Sequence, residues 1–470
     1  MKVLLINPPS DHELKGNNPA IIDEERGFNP PLGLLYVAAY MEAQGRHEVI
    51  VLDTQVEGIT YDLLPERIAH IGPDIVGITA MTFTLLDVVK TTALVKQVDP
   101  NITVVLGGPH PHIYPQETIQ MPNVDLVVMG EGERVFSDLV DALDRGTSLE
   151  GIPGLVFQKG DQIRQTAANP LIDNLDALPF PARHLTPFEK YSSLLAKRSP
   201  ITTMFTSRGC PFRCAFCDRP NLGKRFRARS AHNVVDEMEA CVNAGIHEFL
   251  VYDDTFSVQR QRVLDICDEL LRRALPIGWD IRARVDTVDE EMLSRLKAAG
   301  CERIHYGVEA GTERILKVLN KGITLQQAQN AFRMTRRAGI ETLAYFMIGA
   351  PSETREEIRE TLEFAKRLRP DFVHITILTP FPATQIYRDG LSQGILEHDI
   401  WQSFAQNPCE GFQPPYWEEI LSREELIELL SQAYRTFYTR PSYILKELIQ
   451  VRSIEELRRK VIAGIKLLKM

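Results

Sequence analysis

Short uninterrupted apolar runs, each followed by a segment of helical spacing, recur along this chain and restart once after a proline-rich gap. In the first set the runs are residues 3–6, 49–52, 75–79, 103–106 and 126–129. Residues 31–44 and 135–143 carry helical stripes, for example Leu34, Leu35, Ala38 and Met41. Continuous rather than alternating apolar strands mean a parallel sheet covered on both faces. The sequence therefore predicts an α/β protein that opens with a doubly wound parallel sheet over residues 1–145. Ligands of such sheets lie at the carboxyl ends of the strands. There this chain has the loops NPPSDHELKG, ITAMTFT, LGGPHPH and MGEGE. Residues 146–198, interrupted by Pro153, Pro170, Pro179, Pro181 and Pro187, are expected to form an irregular connector. From Ile201 the rhythm resumes, with strands expected at 201–206, 248–252, 279–282, 303–308, 341–348 and 372–378. A closed eight-unit barrel takes about 250 residues. Six units over residues 199–390 predict a partial (β/α)6 barrel with one open side, and residues 391–470 read as a helical extension.

At 470 residues the chain is too long for one compact core. Its net charge of −10 argues against a broad face for phosphate backbones, so no nucleic-acid partner is expected. The opening MKVLLINPPSD lacks the apolar core of a secretory signal. No stretch approaches the roughly 18–20 apolar residues that cross a bilayer, and a cytoplasmic location is expected. One segment departs from the acidic trend: Lys446 to Met470 carries seven Lys or Arg against three Asp or Glu. It reads either as a solvated helix packed on the barrel or as a basic amphipathic helix in peripheral contact with an anionic membrane.

The chain has seven cysteines, an odd number, and a secreted disulfide framework would be denser and even. Cys210, Cys214 and Cys217 lie together in TSRGCPFRCAFCD, directly after the first strand of the second set, where barrel active sites sit. A [4Fe–4S] cube takes one thiolate per iron. Three thiolates leave one iron open to a ligand bound through oxygen and nitrogen. Zinc would need a fourth ligand, from Cys241, His232 or Asp218, and the second pair of a zinc knuckle is missing.

The spacing C-x-x-x-C-x-aromatic-C, with Phe216 as the aromatic, opening a six-unit βα region, resembles the radical S-adenosylmethionine superfamily. The resemblance implies a TIM-type partial barrel. It also implies a cluster on Cys210, Cys214 and Cys217, with S-adenosylmethionine chelating the open iron. One electron then cleaves the sulfonium to a 5′-deoxyadenosyl radical, and the protein orients and shields the cofactors. It further implies that strand-end residues contact S-adenosylmethionine. These are Phe216, Asp253 or Asp254 in YDDTF, Arg282 or Arg284 in IRARVD, Glu309 in YGVEAGT, and Gly349 with Glu353 in FMIGAPSET.

The set INPP, PPLGLLYVAAY, IVGITAMT, VVLGGPHPH and MGEGE resembles the Rossmann-like cobalamin-binding domain that precedes the barrel in one large subclass of that superfamily. The resemblance implies cobalamin contacts from Thr79, Met81, Thr82, Thr84, Gly107, Gly108, His110, Glu131, Gly132 and Glu133. The two carboxylates would accept hydrogen bonds from corrin amides. The cobalt-ligating D-x-H-x-x-G pattern of other cobalamin proteins is not met: Asp11 and His12 are adjacent, and His110 and His112 lie in another loop.

For the reaction, the resemblance implies radical methylation by way of methylcobalamin of an unactivated carbon in a small molecule or lipid. A one-electron reductant such as flavodoxin or ferredoxin would drive it. The tail FYTRPSYI is similar to that of anaerobic magnesium-protoporphyrin monomethyl ester cyclases, which implies oxidation instead. A cobalamin-binding redox sensor without turnover is the reading from another class.

Overall fold

The computed structural model describes residues 1–15, 27–218, 224–441 and 443–445. The first sheet has seven strands: β1 (Lys2–Asn7), β2 (Glu48–Asp53), β3 (Ile75–Thr79), β4 (Thr103–Gly107), β5 (Leu126–Val128), β6 (Leu155–Lys159) and β7 (Gln162–Gln165). Their order is β2-β1-β3-β4-β5-β6-β7. The first five are parallel and the last two antiparallel. Successive side chains alternate faces, and both faces are buried, which is why the strands read as unbroken apolar runs. Val3, Leu5 and Val105 pack with Leu35, Ala38, Val135 and Leu139 of helices Leu32–Gln44 and Gly132–Arg145. Leu4, Ile6, Val76, Ile78, Val104 and Leu106 face Leu85, Val88 and Val95 of helix Leu85–Val98. The strand order reverses between β1 and β3, so a crevice opens at their carboxyl ends.

The hairpin β6–β7 corrects the expectation of an irregular connector. Its apolar run is only Leu155 to Phe157, too short to stand out among the flanking prolines, yet it pairs with β5 and extends the sheet.

The second sheet has six parallel strands in sequential order: β8 (Ile201–Met204), β9 (Glu248–Val251), β10 (Gly278–Ala283), β11 (Cys301–Glu309), β12 (Glu341–Ile348) and β13 (Phe372–Ile377). Helices cover the outside, and one apolar core runs between strands and helices. Strands β8 and β13 are edges, and the barrel does not close. An edge leaves backbone groups unpaired. At β13 two tyrosines one turn apart on helix Arg423–Tyr438 take them up. The Tyr434 hydroxyl accepts from the Ile375 amide and donates to the Ile375 carbonyl, both at 3.0 Å. The Tyr438 hydroxyl does the same at Val373, at 3.1 and 2.9 Å.

Between β13 and helix Arg423–Tyr438 the chain leaves the barrel. Tyr387, Leu396, Trp401, Phe404 and Ala405, from and around helices Gln385–Ser392 and Ile400–Gln406, are buried in the core of the first sheet. The basic segment from Lys446 to Met470 lies outside the described residues.

Candidate active site

The cysteine loop leaves the carboxyl end of β8 and is held by its neighbours. Asp253, fully buried at the end of β9, accepts from the Thr206 and Ser207 amides at 2.6 and 3.0 Å and from both their hydroxyls at 2.5 Å. Both carboxylate oxygens are thus engaged by the chain's own loop. Of the two residues expected to offer a contact to a methionyl amino group, Asp253 or Asp254, Asp253 is engaged by its own chain and Asp254 is exposed. Further along, the Ala215 amide donates to the Leu319 carbonyl at 2.9 Å, the Ile386 amide to Ala215 at 3.1 Å, and Asn320 to the Arg213 carbonyl at 2.6 Å.

None of the three loop cysteines is in a disulfide among the described residues, with Cys210 buried, Cys214 half-buried and Cys217 exposed. Cys214 and Cys217 sit on one turn, closed by the Cys217 amide on the Cys214 carbonyl at 3.3 Å. Burial pushes the Cys214 thiol up, against the pull of Lys321 and Arg284. Arg284 Nη1 lies 3.9 Å from Cys214 Sγ, and Lys321 Nζ lies 5.9 Å from the Phe216 ring centre. Among the described residues no group of three His, Cys, Asp or Glu side chains is placed to hold one metal ion. A cube distributes its thiolates over separate irons, and three cysteines outside any disulfide on one braced loop, with Arg284 and Lys321 beside Cys214, suit that group. Of the alternative zinc donors, Asp218 follows Cys217 directly, but the other two are elsewhere. Cys241 is buried on helix Ala231–Asn243 beside Arg183 and Glu237, and His232 lies 3.3 Å from Glu269 and 3.6 Å from Asp236.

The other strand ends surround this loop. Glu309 ends β11 at φ +71° and pairs with Lys321 at 2.7 Å. Gly307 leaves room for that pair, because a Cβ there would overlap Glu309 Oε1 and stand 2.8 Å from Lys321 Nζ. Gly349, at φ +78°, turns the chain after β12. Glu353 accepts from the Gly349 and Ala350 amides at 2.7 and 2.9 Å. Burial raises its carboxyl to about 7. Arg282 stacks on Tyr252 at 4.0 Å, while Arg284 stacks on Phe212 at 3.8 Å and is held by Asp286.

On the first sheet, Thr79, Met81, Thr82, Thr84, Gly107, Gly108 and His110 gather at the ends of β3 and β4. Gly108 has φ +107°, and a Cβ would stand 2.8 Å from the Ala80 carbonyl. Thr82 Oγ1 lies 3.1 Å from His110 Nδ1, and Met81 is exposed. The His110 imidazole is buried, which lowers its pKa to about 3, and among the described residues its Nε2 has no partner. His112 is likewise lowered by burial, with Nδ1 unpartnered among the described residues. His12 is spoken for on both nitrogens: Nδ1 meets buried Asp87 at 2.8 Å and Nε2 meets Lys90 Nζ at 2.6 Å. Tyr61 donates to the same aspartate.

Glu131, expected to accept from corrin amides, is engaged on both oxygens by the cysteine loop and its neighbours, while Glu133 gives one oxygen to Arg208 and keeps Oε2 buried without a hydrogen bond among the described residues. Arg208, two residues before Cys210, donates to Glu131 at 2.9 Å and to Glu133 at 2.5 Å. Arg227 and the Ile172 amide donate to the other Glu131 oxygen at 2.9 and 2.6 Å. Burial lifts Glu131, but Arg227 and Arg208 outweigh it and hold the carboxyl below its usual range. Gly132, between the two, begins helix Gly132–Arg145. Sequence reasoning missed Arg208, Arg227, Lys321 and Asp87. Arg208 had a signal, standing inside TSRGC, but nothing local marks an arginine as the partner of a carboxylate 77 positions earlier.

Residues 204–365 match the radical SAM superfamily and residues 20–140 the B12 binding domain. An uncharacterized methyltransferase of Pyrococcus horikoshii is 35% identical over 453 residues, covering 96% of this chain and 95% of that protein. The anaerobic magnesium-protoporphyrin IX monomethyl ester cyclase of Rubrivivax gelatinosus is 30% identical, over 94% of this chain and 78% of that protein. Among solved structures, the cobalamin-dependent S-adenosylmethionine radical enzyme OxsB superposes with a TM-score of 0.76 at 20% identity, over 99% of this chain and 72% of that one. The radical S-adenosylmethionine methyltransferase TsrM of Kitasatospora setae, with cobalamin and a [4Fe–4S] cluster bound, gives 0.70 at 22%, over 83% and 78%. With both matches on one chain, and relatives aligned along nearly its full length, this protein belongs to the cobalamin-dependent branch of the radical S-adenosylmethionine superfamily, whose cofactors are a [4Fe–4S] cluster, S-adenosylmethionine and cobalamin.

Proposed function

We propose that this protein is a radical methyltransferase, transferring a methyl group to an unactivated carbon of a small molecule or lipid. The observation that carries the reading is the buried Arg208–Glu131–Glu133 contact. It fixes the loop of Cys210 to the helix that begins at the carboxyl end of the first sheet. Radical methylation of a substrate carbon would need the radical source and the methyl donor to reach one water-poor space that also holds the substrate. When bound, the cofactors supply radical generation and the methyl group.

The chain supplies placement. Cys210, Cys214 and Cys217 would hold the cluster, with Arg284 and Lys321 lending positive charge beside thiolates. Phe216, Glu309 and the Gly349 turn would border S-adenosylmethionine, with Glu353 keeping that turn closed. Gly107 and Gly108 would admit the corrin or its tail near Thr79, Thr82 and His110. The electron would come from a carrier such as flavodoxin or ferredoxin.

Anaerobic, reconstituted protein given S-adenosylmethionine, a strong one-electron reductant and a metabolite extract tests this. Methyl transfer yields 5′-deoxyadenosine together with S-adenosylhomocysteine, and one metabolite gains a methylene. The cyclase-named relatives at 30% identity favour a second reading, oxidation. That outcome yields 5′-deoxyadenosine without S-adenosylhomocysteine, and a product that gains oxygen or loses hydrogen. An intact cluster that produces no 5′-deoxyadenosine rules out both and leaves a redox sensor.

A further inference from the structure

Halfway down the barrel the inner face is lined by polar and aromatic side chains. Trp279, Ile281 and Ala283 of β10 pack in the outer apolar core, so Asp280, Arg282 and Arg284 share the inner face. The same alternation turns His305 of β11, Tyr345 of β12 and His374 of β13 inward, since Ile304, Tyr306, Ala344, Phe346, Val373 and Ile375 are in that outer core. These groups touch one another. His305 Nδ1 lies 3.1 Å from the Tyr345 hydroxyl and its Nε2 3.2 Å from Asp280. Tyr345 and His374 have ring centres 5.6 Å apart. Arg282 stacks on Tyr252, and its charge bears on Tyr345.

A packed barrel fills such layers with branched aliphatics. Here Tyr252, Arg282, His305, Tyr345 and His374 are instead only half-buried. Charge is also left over. Arg284 is closed on Asp286, Lys321 on Glu309, and Asp280 is taken by His305 and by Arg303 at 3.8 Å. Among the described residues Arg282 has no carboxylate partner, and His374 Nε2 is buried without a hydrogen bond. The Arg282 charge is therefore available, and an anion arriving there gains charge-assisted hydrogen bonds. Arg284 stands beside Cys214, and Arg282 is two residues further into the barrel, about 6.6 Å along the strand.

We propose that this layer is the substrate site, where Arg282, with Tyr345 and His374, binds a carboxylate or phosphate group of the substrate. The rest of the molecule then extends up the barrel toward the cysteine loop. This inference rests on the proposed function and names the chemical class of its substrate.

Calorimetric titration of the anaerobic, cluster- and cobalamin-loaded protein with benzoate, phenyl phosphate and neutral benzamide tests it. The expected result is saturable binding of at least one anion, with the preference between them separating carboxylate from phosphate substrates. Benzamide should bind at least tenfold more weakly. Arg282→Gln should weaken anion binding more than tenfold, Arg282→Lys less, and His374→Ala severalfold, each with S-adenosylmethionine affinity within about twofold of wild type. Equal binding of benzamide, no anion binding by the wild type, or full retention in Arg282→Gln overturns the proposal. So does a parallel loss of S-adenosylmethionine affinity, which would assign Arg282 to the cofactor. Wild-type 5′-deoxyadenosine formation separates the two readings: if it persists while the anion preference fails, only the substrate class is wrong. If it is absent with an intact cluster, the enzyme reading fails.

Discussion

Asp253 has two carboxylate oxygens, and the Thr206–Ser207 dipeptide delivers four donors to them. Asparagine keeps the shape but swaps an acceptor for a donor, which would face groups that already donate. Asp253→Asn should therefore cost about 2–4 kcal/mol and lower the iron bound on reconstitution, read from the cluster's charge-transfer absorbance. Full iron loading at wild-type stability would contradict the brace. The spacing of Cys210, Cys214 and Cys217 was plain in the sequence because local chemistry is written locally. Whether Asp253 faces a ligand or its own backbone depends on burial, which a strand-end aspartate does not announce. Glu353 carries a pH signature. Burial, with Glu357 adding to it and two backbone donors and Arg314 opposing, raises its carboxyl from 4.5 to about 7. A carboxyl that holds its proton more tightly when folded stabilises most in acid. That contribution fades as pH climbs past the unfolded value and is gone above the folded one. Between pH 4.5 and 7, wild type should lose roughly 3 kcal/mol relative to Glu353→Gln. Thermal melts of both proteins across that range check it; parallel curves would refute it.

Strands and helices were legible where their pattern was long. All six barrel strands and the first five of the sheet follow from apolar runs and spacing, because tertiary burial there agrees with local propensity. The β6–β7 hairpin was hidden, since three apolar residues between prolines carry little periodicity and its stability comes from pairing with β5. The covering of the β13 edge was equally hidden, because it depends on hydroxyls of Tyr434 and Tyr438 that a helical pattern reads only as aromatic bulk. Tyr434→Phe leaves the Ile375 amide and carbonyl unpaired, at a cost of about 2–4 kcal/mol. Urea unfolding should show a lower midpoint with an unchanged slope. A midpoint within error of wild type would mean that the edge is satisfied some other way.

Across the whole molecule, the sheet and the barrel are joined by buried charge. Glu131→Gln removes one partner of Arg208 and Arg227 and leaves cations desolvated without full compensation. Breaking such a pair costs about 3–5 kcal/mol. Calorimetry should then resolve two transitions, one for the sheet and one for the barrel; a single undisplaced transition would refute the role of this contact. These partners come from segments far apart in the chain, and no local pattern in the sequence connects them. The return of Tyr387, Trp401 and Phe404 to the core of the first sheet is a second junction of the same kind, made of apolar area rather than charge. Its consequence is topological. A protease nick between Lys159 and Ser199 would not release either half, because the returning stretch still fastens the barrel's far end to the sheet. Parting the halves takes a second cut beyond β13. Any opening that admits large cofactors must therefore be a parting of surfaces about two anchorage points, not a swing on one flexible strap.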